Sequence, residues 1–113
     1  KSEIGHQLVA TKRSDGASIA HAAAARGHIP VLRWVLSTPG LGSDFLKRQT
    51  ITGDTMAHAA AWNNRLDVLK WIAGTPELGP ASLATSRNDG WTIAHHAAYG
   101  GHTLVLQWIL AVD

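Results

Sequence analysis

The sequence predicts an all-α fold, a short solenoid of stacked helix–turn–helix units, and three observations predict it. First, side chains recur at a fixed interval of 37 residues: His21, His58 and His95; Trp34, Trp71 and Trp108; Val31, Val68 and Val105. A period of this length is the signature of repeat architectures. Second, alanine crowds one part of each unit (Ala22 to Ala25, Ala59 to Ala61, Ala97 and Ala98), while tyrosine and phenylalanine occur once each. That composition suits close-packed helices better than a sheet. Third, Val31, Leu32, Val35 and Leu36 stand at i, i+1, i+4 and i+5, the spacing of one buried helix face.

Taken in order, residues 1–13 read as part of a preceding repeat or its connector, because Ile4 is in register with Leu41 and Leu78, and Val9 with Leu46 and Leu83. Repeats follow at 14–50 and 51–87, with a truncated third at 88–113, all within one domain spanning 1–113. Ser18, Thr55 and Thr92 each precede a small-residue helix, the place of an N-terminal capping side chain. Gly27 and Gly101 close that first helix as left-handed turn residues do. Pro30 falls in the first turn of the second helix, where a missing N–H costs little. No helix pair can bury its apolar face alone, so the units must stack. The ends show no polar capping repeat and the chain starts without Met, so it is expected to be a piece of a longer protein.

Composition excludes several functions. Ten Lys and Arg against eight Asp and Glu leave a net charge of +2. The basic residues are scattered, whereas a nucleic-acid footprint clusters them on one face. Without cysteine there is neither a disulfide nor a thiolate metal site, which fits a reducing, intracellular and most simply cytoplasmic location. No apolar run approaches the roughly 18 residues of a membrane span.

The stretch Gly90-Trp91-Thr92-Ile93-Ala94-His95-His96-Ala97-Ala98-Tyr99-Gly100-Gly101-His102 resembles the ankyrin repeat, and its register with the two earlier units extends the resemblance over nearly the whole chain. Two features depart from the family. Its Thr-Pro-Leu-His becomes Ser18-Ile-Ala-His21, Thr55-Met-Ala-His58 and Thr92-Ile-Ala-His95, and the period exceeds the usual ~33 residues. The four extra residues fall after the second helix, between Gly74 and Leu83, and are expected to add a helical turn held to the core by Leu41 and Leu78. The resemblance implies L-shaped units of antiparallel helices with β-hairpin-like finger loops, and a protein partner touching the finger tips and the concave face of the first helices. It also implies that His21, His58 and His95 hydrogen-bond loops between neighbouring repeats.

Histidine is the residue that most invites a chemical reading. His28 and His102 open second helices, but Arg65 replaces them in the middle unit, which a metal site would not tolerate. His95 and His96 diverge by about 100° around their helix, and no carboxylate lies at ligand spacing. Ser18, His21 and Asp15 recur as parts of a repeat rather than as the single pocketed constellation that catalysis needs. No enzymatic activity and no cofactor are therefore expected. Trp34, Trp71 and Trp108 recur in register and read as packing across the second-helix layer.

Trp62, Trp91 and Tyr99 differ, because the same register holds Ala25 in place of Trp62 and Tyr99, and Ala17 or Asp54 in place of Trp91. Large rings where the repeat accepts small residues are candidate interface anchors. His96, whose counterparts are Ala22 and Ala59, joins them, as do Asp54, Arg26 and Asn63. The alternative for the rings is packing against the next repeat. The sequence thus points to a non-catalytic, monomeric module that binds another protein through these residues. The other reading is a structural spacer within a larger multidomain protein or a host-directed bacterial effector.

Overall fold

In the computed structural model, which describes residues 4–112, the chain is an elongated stack measuring 47 × 27 × 21 Å. Among the described residues there are eight α-helices, one 3-10 turn and no strand. Helix α1 spans Ile4–Ala10. Three antiparallel pairs follow: α2 (Ile19–Arg26) with α3 (Ile29–Ser37), α5 (Met56–Trp62) with α6 (Leu66–Gly74), and α7 (Ile93–Tyr99) with α8 (Thr103–Ala111). Each pair is preceded by a finger, at residues 13–17, 50–54 and 87–91. The first helices pack side by side, α2 on α5 and α5 on α7.

The first helices start where their sequence says they should. Ser18, Thr55 and Thr92 are extended N-caps, and the histidine three residues on completes a capping box in all three units. The N–H of each cap residue donates to the Nδ1 of His21, His58 or His95 at 3.1 Å. Histidine here takes the part that Glu or Gln usually plays in such a box. Because Nδ1 accepts, Nε2 must carry the proton in the neutral ring. His21 Nε2 donates to the Asp54 carbonyl at 3.0 Å, and His58 Nε2 to the Trp91 carbonyl at 3.2 Å. Each ring therefore fixes a helix start and ties it to the following finger.

At the other end of the first helix, Gly27, Asn64 and Gly101 hold the left-handed turn in register, with φ of 76°, 59° and 73°. Asparagine serves in the middle unit because it is among the few residues that tolerate this region. The residue that follows makes a second tie backwards. Arg65 Nε donates to the Ala25 carbonyl at 3.1 Å and His102 Nε2 to the Trp62 carbonyl at 3.0 Å. Arginine and histidine can exchange at this place because either reaches one carbonyl of the preceding unit.

The core runs as a continuous layer through Leu32, Val35, Leu69, Ile72 and Val105, each fully buried. The connectors bear the expected extra turn: α4 (Gly42–Leu46) and the 3-10 turn Pro80–Leu83. Phe45, Leu46, Leu78 and Leu83 are buried beneath them, and Leu41 packs against the same core.

The structure corrects two expectations. Val31 is not part of the buried stripe: it is 39% exposed, whereas its counterparts Val68 and Val105 are fully buried. The tryptophans of the second helices do not form a uniform layer, since Trp34 is exposed while Trp71 and Trp108 pack against the core. The fingers are hairpin-like without being strands. Each is closed by two cross-bonds (Arg13 N to Ala17 O and Gly16 N to Arg13 O in the first, and their counterparts in the others), and neighbouring fingers are linked by Ile51 N to Asp15 O and Asn88 N to Thr52 O.

Candidate functional site

Five of the seven candidate residues meet between units 2 and 3, on the side where fingers and first helices adjoin. Trp62 closes α5 and Tyr99 closes α7, and their rings stack at 5.2 Å with planes 15° apart. Trp91, on the third finger, approaches Tyr99 edge-on at 6.0 Å. The two tryptophans flank His96, whose ring lies 5.5 Å from both Trp62 and Trp91. Stacked and edge-to-face arrangements are the favoured geometries for such rings. The cluster is nonetheless open on its outer side. Tyr99 is 71% exposed and Trp62 46%.

Beneath the rings lies a polar layer. His96 is buried whereas its neighbour His95 is exposed, so His96 supports the aromatic surface rather than forming it. Its Nε2 stands 3.3 Å from Asp54 Oδ1, and its ring meets His58 edge-on at 5.2 Å. Arg87 Nε pairs with Asp54 Oδ1 as an ion pair at 3.6 Å, while Arg87 Nη2 reaches Asp89 at 3.4 Å. Asp54 Oδ2 accepts from the Thr52 and Thr50 hydroxyls at 2.7 and 3.3 Å.

These contacts set the charges. Burial alone would raise the Asp54 carboxyl, but the Thr52 hydroxyl and the charge of Arg87 outweigh it and hold the group below its ordinary value. Burial lowers His58, and its bond to the Trp91 carbonyl only partly opposes this. Burial likewise lowers His96, against the pull of Asp54. At neutral pH the layer is thus a carboxylate and a guanidinium flanked by two neutral imidazoles.

Asn63 caps α5, its Nδ2 donating to the Ala59 carbonyl at 2.8 Å. With Trp62, Asp54 and His96 it borders a cavity of 370 Å³ that extends towards unit 1, where Ala22 and Ala25 leave room. Arg26 is exposed at the end of α2 and takes no part in the cluster's ring contacts or ion pairs. Sequence reasoning missed Arg87, which joins finger 3 to finger 2. Its signal was its place four residues before Trp91, whose counterpart one period upstream is Asp54. Among the described residues, no group of three or more His, Cys, Asp or Glu side chains is placed to hold a metal ion. No helix among them is long and apolar enough to cross a membrane.

Antiparallel helix pairs, a histidine-closed cap at each helix start and linked finger loops define a helical-repeat protein. Residues 20–73 match the family model described as ankyrin repeats (many copies). Those residues are ankyrin repeats, and proteins built from such repeats generally mediate binding between proteins. Two hundred chains of solved structures match it. One belongs to the crystal structure of the yeast ribosomal protein Rps3 in complex with its chaperone Yar1. It aligns with a TM-score of 0.74 and 27% identity, over 96% of this chain and 75% of that one. Among curated proteins, none matches.

Proposed function

We propose that this chain is a non-catalytic module that binds another protein across its concave, finger-bearing side, with Trp62, Trp91 and Tyr99 as anchors and Asp54, Asn63 and Arg26 around them. The observation that carries the reading is the aromatic cluster itself. Three rings occupy positions where the same frame accepts Ala17, Ala25 or Asp54. They are packed firmly enough to be pre-ordered, yet Trp62 and Tyr99 keep much of their surface in water. Rigid, half-exposed aromatics are the side chains most often found at interface hot spots, because little conformational entropy is lost when a partner covers them. His96 belongs to the support: its contacts with Asp54, Trp62 and Trp91 hold the surface in place.

The family's general role in protein binding supports this reading, and so does the neighbour solved within a protein complex. The test is a binding selection from a displayed peptide and domain library with the wild-type chain as bait, followed by Tyr99→Ala and Trp62→Ala. Selected binders should lose at least about tenfold in affinity with each variant while the helical circular dichroism is unchanged. Binders that hold both variants at wild-type affinity would place the interface elsewhere.

A further inference from the structure

On the finger-bearing side, the three units meet at two junctions, and the two are filled differently. At the junction of units 2 and 3, Tyr99 stacks on Trp62, Trp91 stands edge-on to Tyr99, and His96 is buried between the tryptophans. One period earlier, at the junction of units 1 and 2, the same places hold smaller groups. Ala25 stands for Trp62, Trp62 for Tyr99, Asp54 for Trp91 and Ala59 for His96. The missing rings leave the cavity of 370 Å³, walled by Ala22, Ala25 and Ala59 and bordered by Trp62 and Asp54.

Trp62 therefore belongs to both junctions but is stacked from only one. Among the described residues Tyr99 alone stacks on it. The ring that would meet it from unit 1 is absent, because its place belongs to Ala25. The walls also select for charge. Those that are formally charged are Arg13, Arg87 and Asp54. A cationic side chain would lie beside two guanidiniums, and an anionic one beside a carboxylate that Thr52 and Arg87 hold ionised. A neutral occupant is favoured. Alanine methyls and an indole suit a flat apolar body, and Asp54 adds an acceptor at its edge. Arg87 Nε and His96 Nε2 stand near Asp54 Oδ1 without hydrogen-bonding to it, so this oxygen can still accept a donor. Tryptophan and tyrosine combine a flat apolar body with one N–H or O–H at the rim. The volume is at the small end of the range for ligand pockets and suits one such side chain.

We propose that this cavity receives a tyrosine or tryptophan side chain of the protein partner. Its ring lies on the free face of Trp62 and its N–H or O–H donates to Asp54 Oδ1. The proposal rests on the reading of this side as the partner-binding surface, and adds what the partner must present. The partner supplies the ring that unit 1 lacks, and the stack of Tyr99 on Trp62 continues by one more member.

N-acetyl-tryptophanamide and N-acetyl-tyrosinamide, titrated into the chain and followed by amide NMR, test the pocket directly. Both should shift the amides of Ala25, Ala59 and Asn63 and the indole N–H of Trp62 in a saturable way. N-acetyl-leucinamide should bind at least about threefold more weakly, and Trp62→Leu should abolish that preference. Ala25→Trp builds the missing ring into unit 1, at a place whose counterparts already hold Trp62 and Tyr99. It should abolish the shifts with helical dichroism unchanged. No saturable shift, an equal response to all three amides, or a response that persists in Ala25→Trp would overturn the proposal. Binders selected on the wild-type chain separate it from the broader reading. They should lose at least about tenfold in affinity with Ala25→Trp. Loss with Tyr99→Ala but not with Ala25→Trp would leave the binding surface standing and remove the pocket from it. Indifference to both would overturn the surface itself.

Discussion

Units 1 and 3 present opposite surfaces on the same frame. On the finger side, unit 1 offers Ala17, Ala22 and Ala25, and a cavity of 370 Å³ opens beside the last two. Unit 3 fills the equivalent positions with Trp91, His96 and Tyr99, which close over Asp54 and Arg87. The cap position, the histidine three residues on and the left-handed turn recur in both. Stability resides in the positions that repeat, and the surface a partner would meet is written in those that do not.

A second contrast lies along the stack, between His58, buried and tied to the following finger, and His95, which is exposed. It gives the largest predicted effect. His58→Ala removes a buried ring that closes a cap and holds the Trp91 carbonyl, leaving polar groups unpaired. The cost should be about 3 kcal/mol in urea denaturation. His95→Ala removes an exposed cap contact and a tilted ring contact with Trp91 and should cost about 1 kcal/mol. Equal losses would break the contrast.

The finger glycines sharpen it. Gly53 and Gly90 share a positive φ, 93° and 88°. A Cβ on Gly53 would come within 2.8 Å of the Asn88 backbone nitrogen, whereas one on Gly90 meets nothing within 4 Å. Gly90→Ala should therefore cost only the conformational penalty, about 1–2 kcal/mol. Gly53→Ala should cost at least about 1 kcal/mol more, because finger 3 must also shift. Denaturation midpoints of the two variants decide this.

Acid should act on the filled junction. His58 and His96 lie below the ordinary histidine value of 6.5 when folded. As pH falls through 6.5 the unfolded chain takes up protons that the folded chain refuses, so stability is full above that pH and declines towards the lowered folded values. Asp54, also lowered, continues the loss in the same direction further into acid. Thermal melts should show a decline of several degrees between pH 7 and pH 5, and His96→Leu should flatten the slope. A melting temperature independent of pH over that range would contradict the placement of both rings.

The smallest effect should come from Tyr99→Ala, at a site 71% exposed. Stability should change by no more than about 0.5–1 kcal/mol while partner binding is lost. A larger loss would mean that the ring belongs to the frame.

Much of this frame was legible in the sequence. Ser18, Thr55 and Thr92 announce helix starts by residue type, and Gly27 and Gly101 announce the turns. Asn64 does the same work less visibly, since asparagine has many other uses. Val31 could not be placed correctly, because register fixes which face a side chain takes but not whether a neighbour covers that face. The burial of His96 was hidden for a related reason. Its counterparts are alanines, and the walls around it come from Trp62 and Trp91 in different units. The role of Arg87 appears only once two fingers stand side by side.

The histidine ties also govern how the molecule comes apart. Each imidazole belongs at once to the start of one helix pair and to the finger of the next, so no unit can melt without releasing a hydrogen bond of its neighbour. Loss of order should therefore spread along the rod, and amide exchange at Ala20 and at Met56 or Ala57 should report nearly the same opening energy despite lying one unit apart.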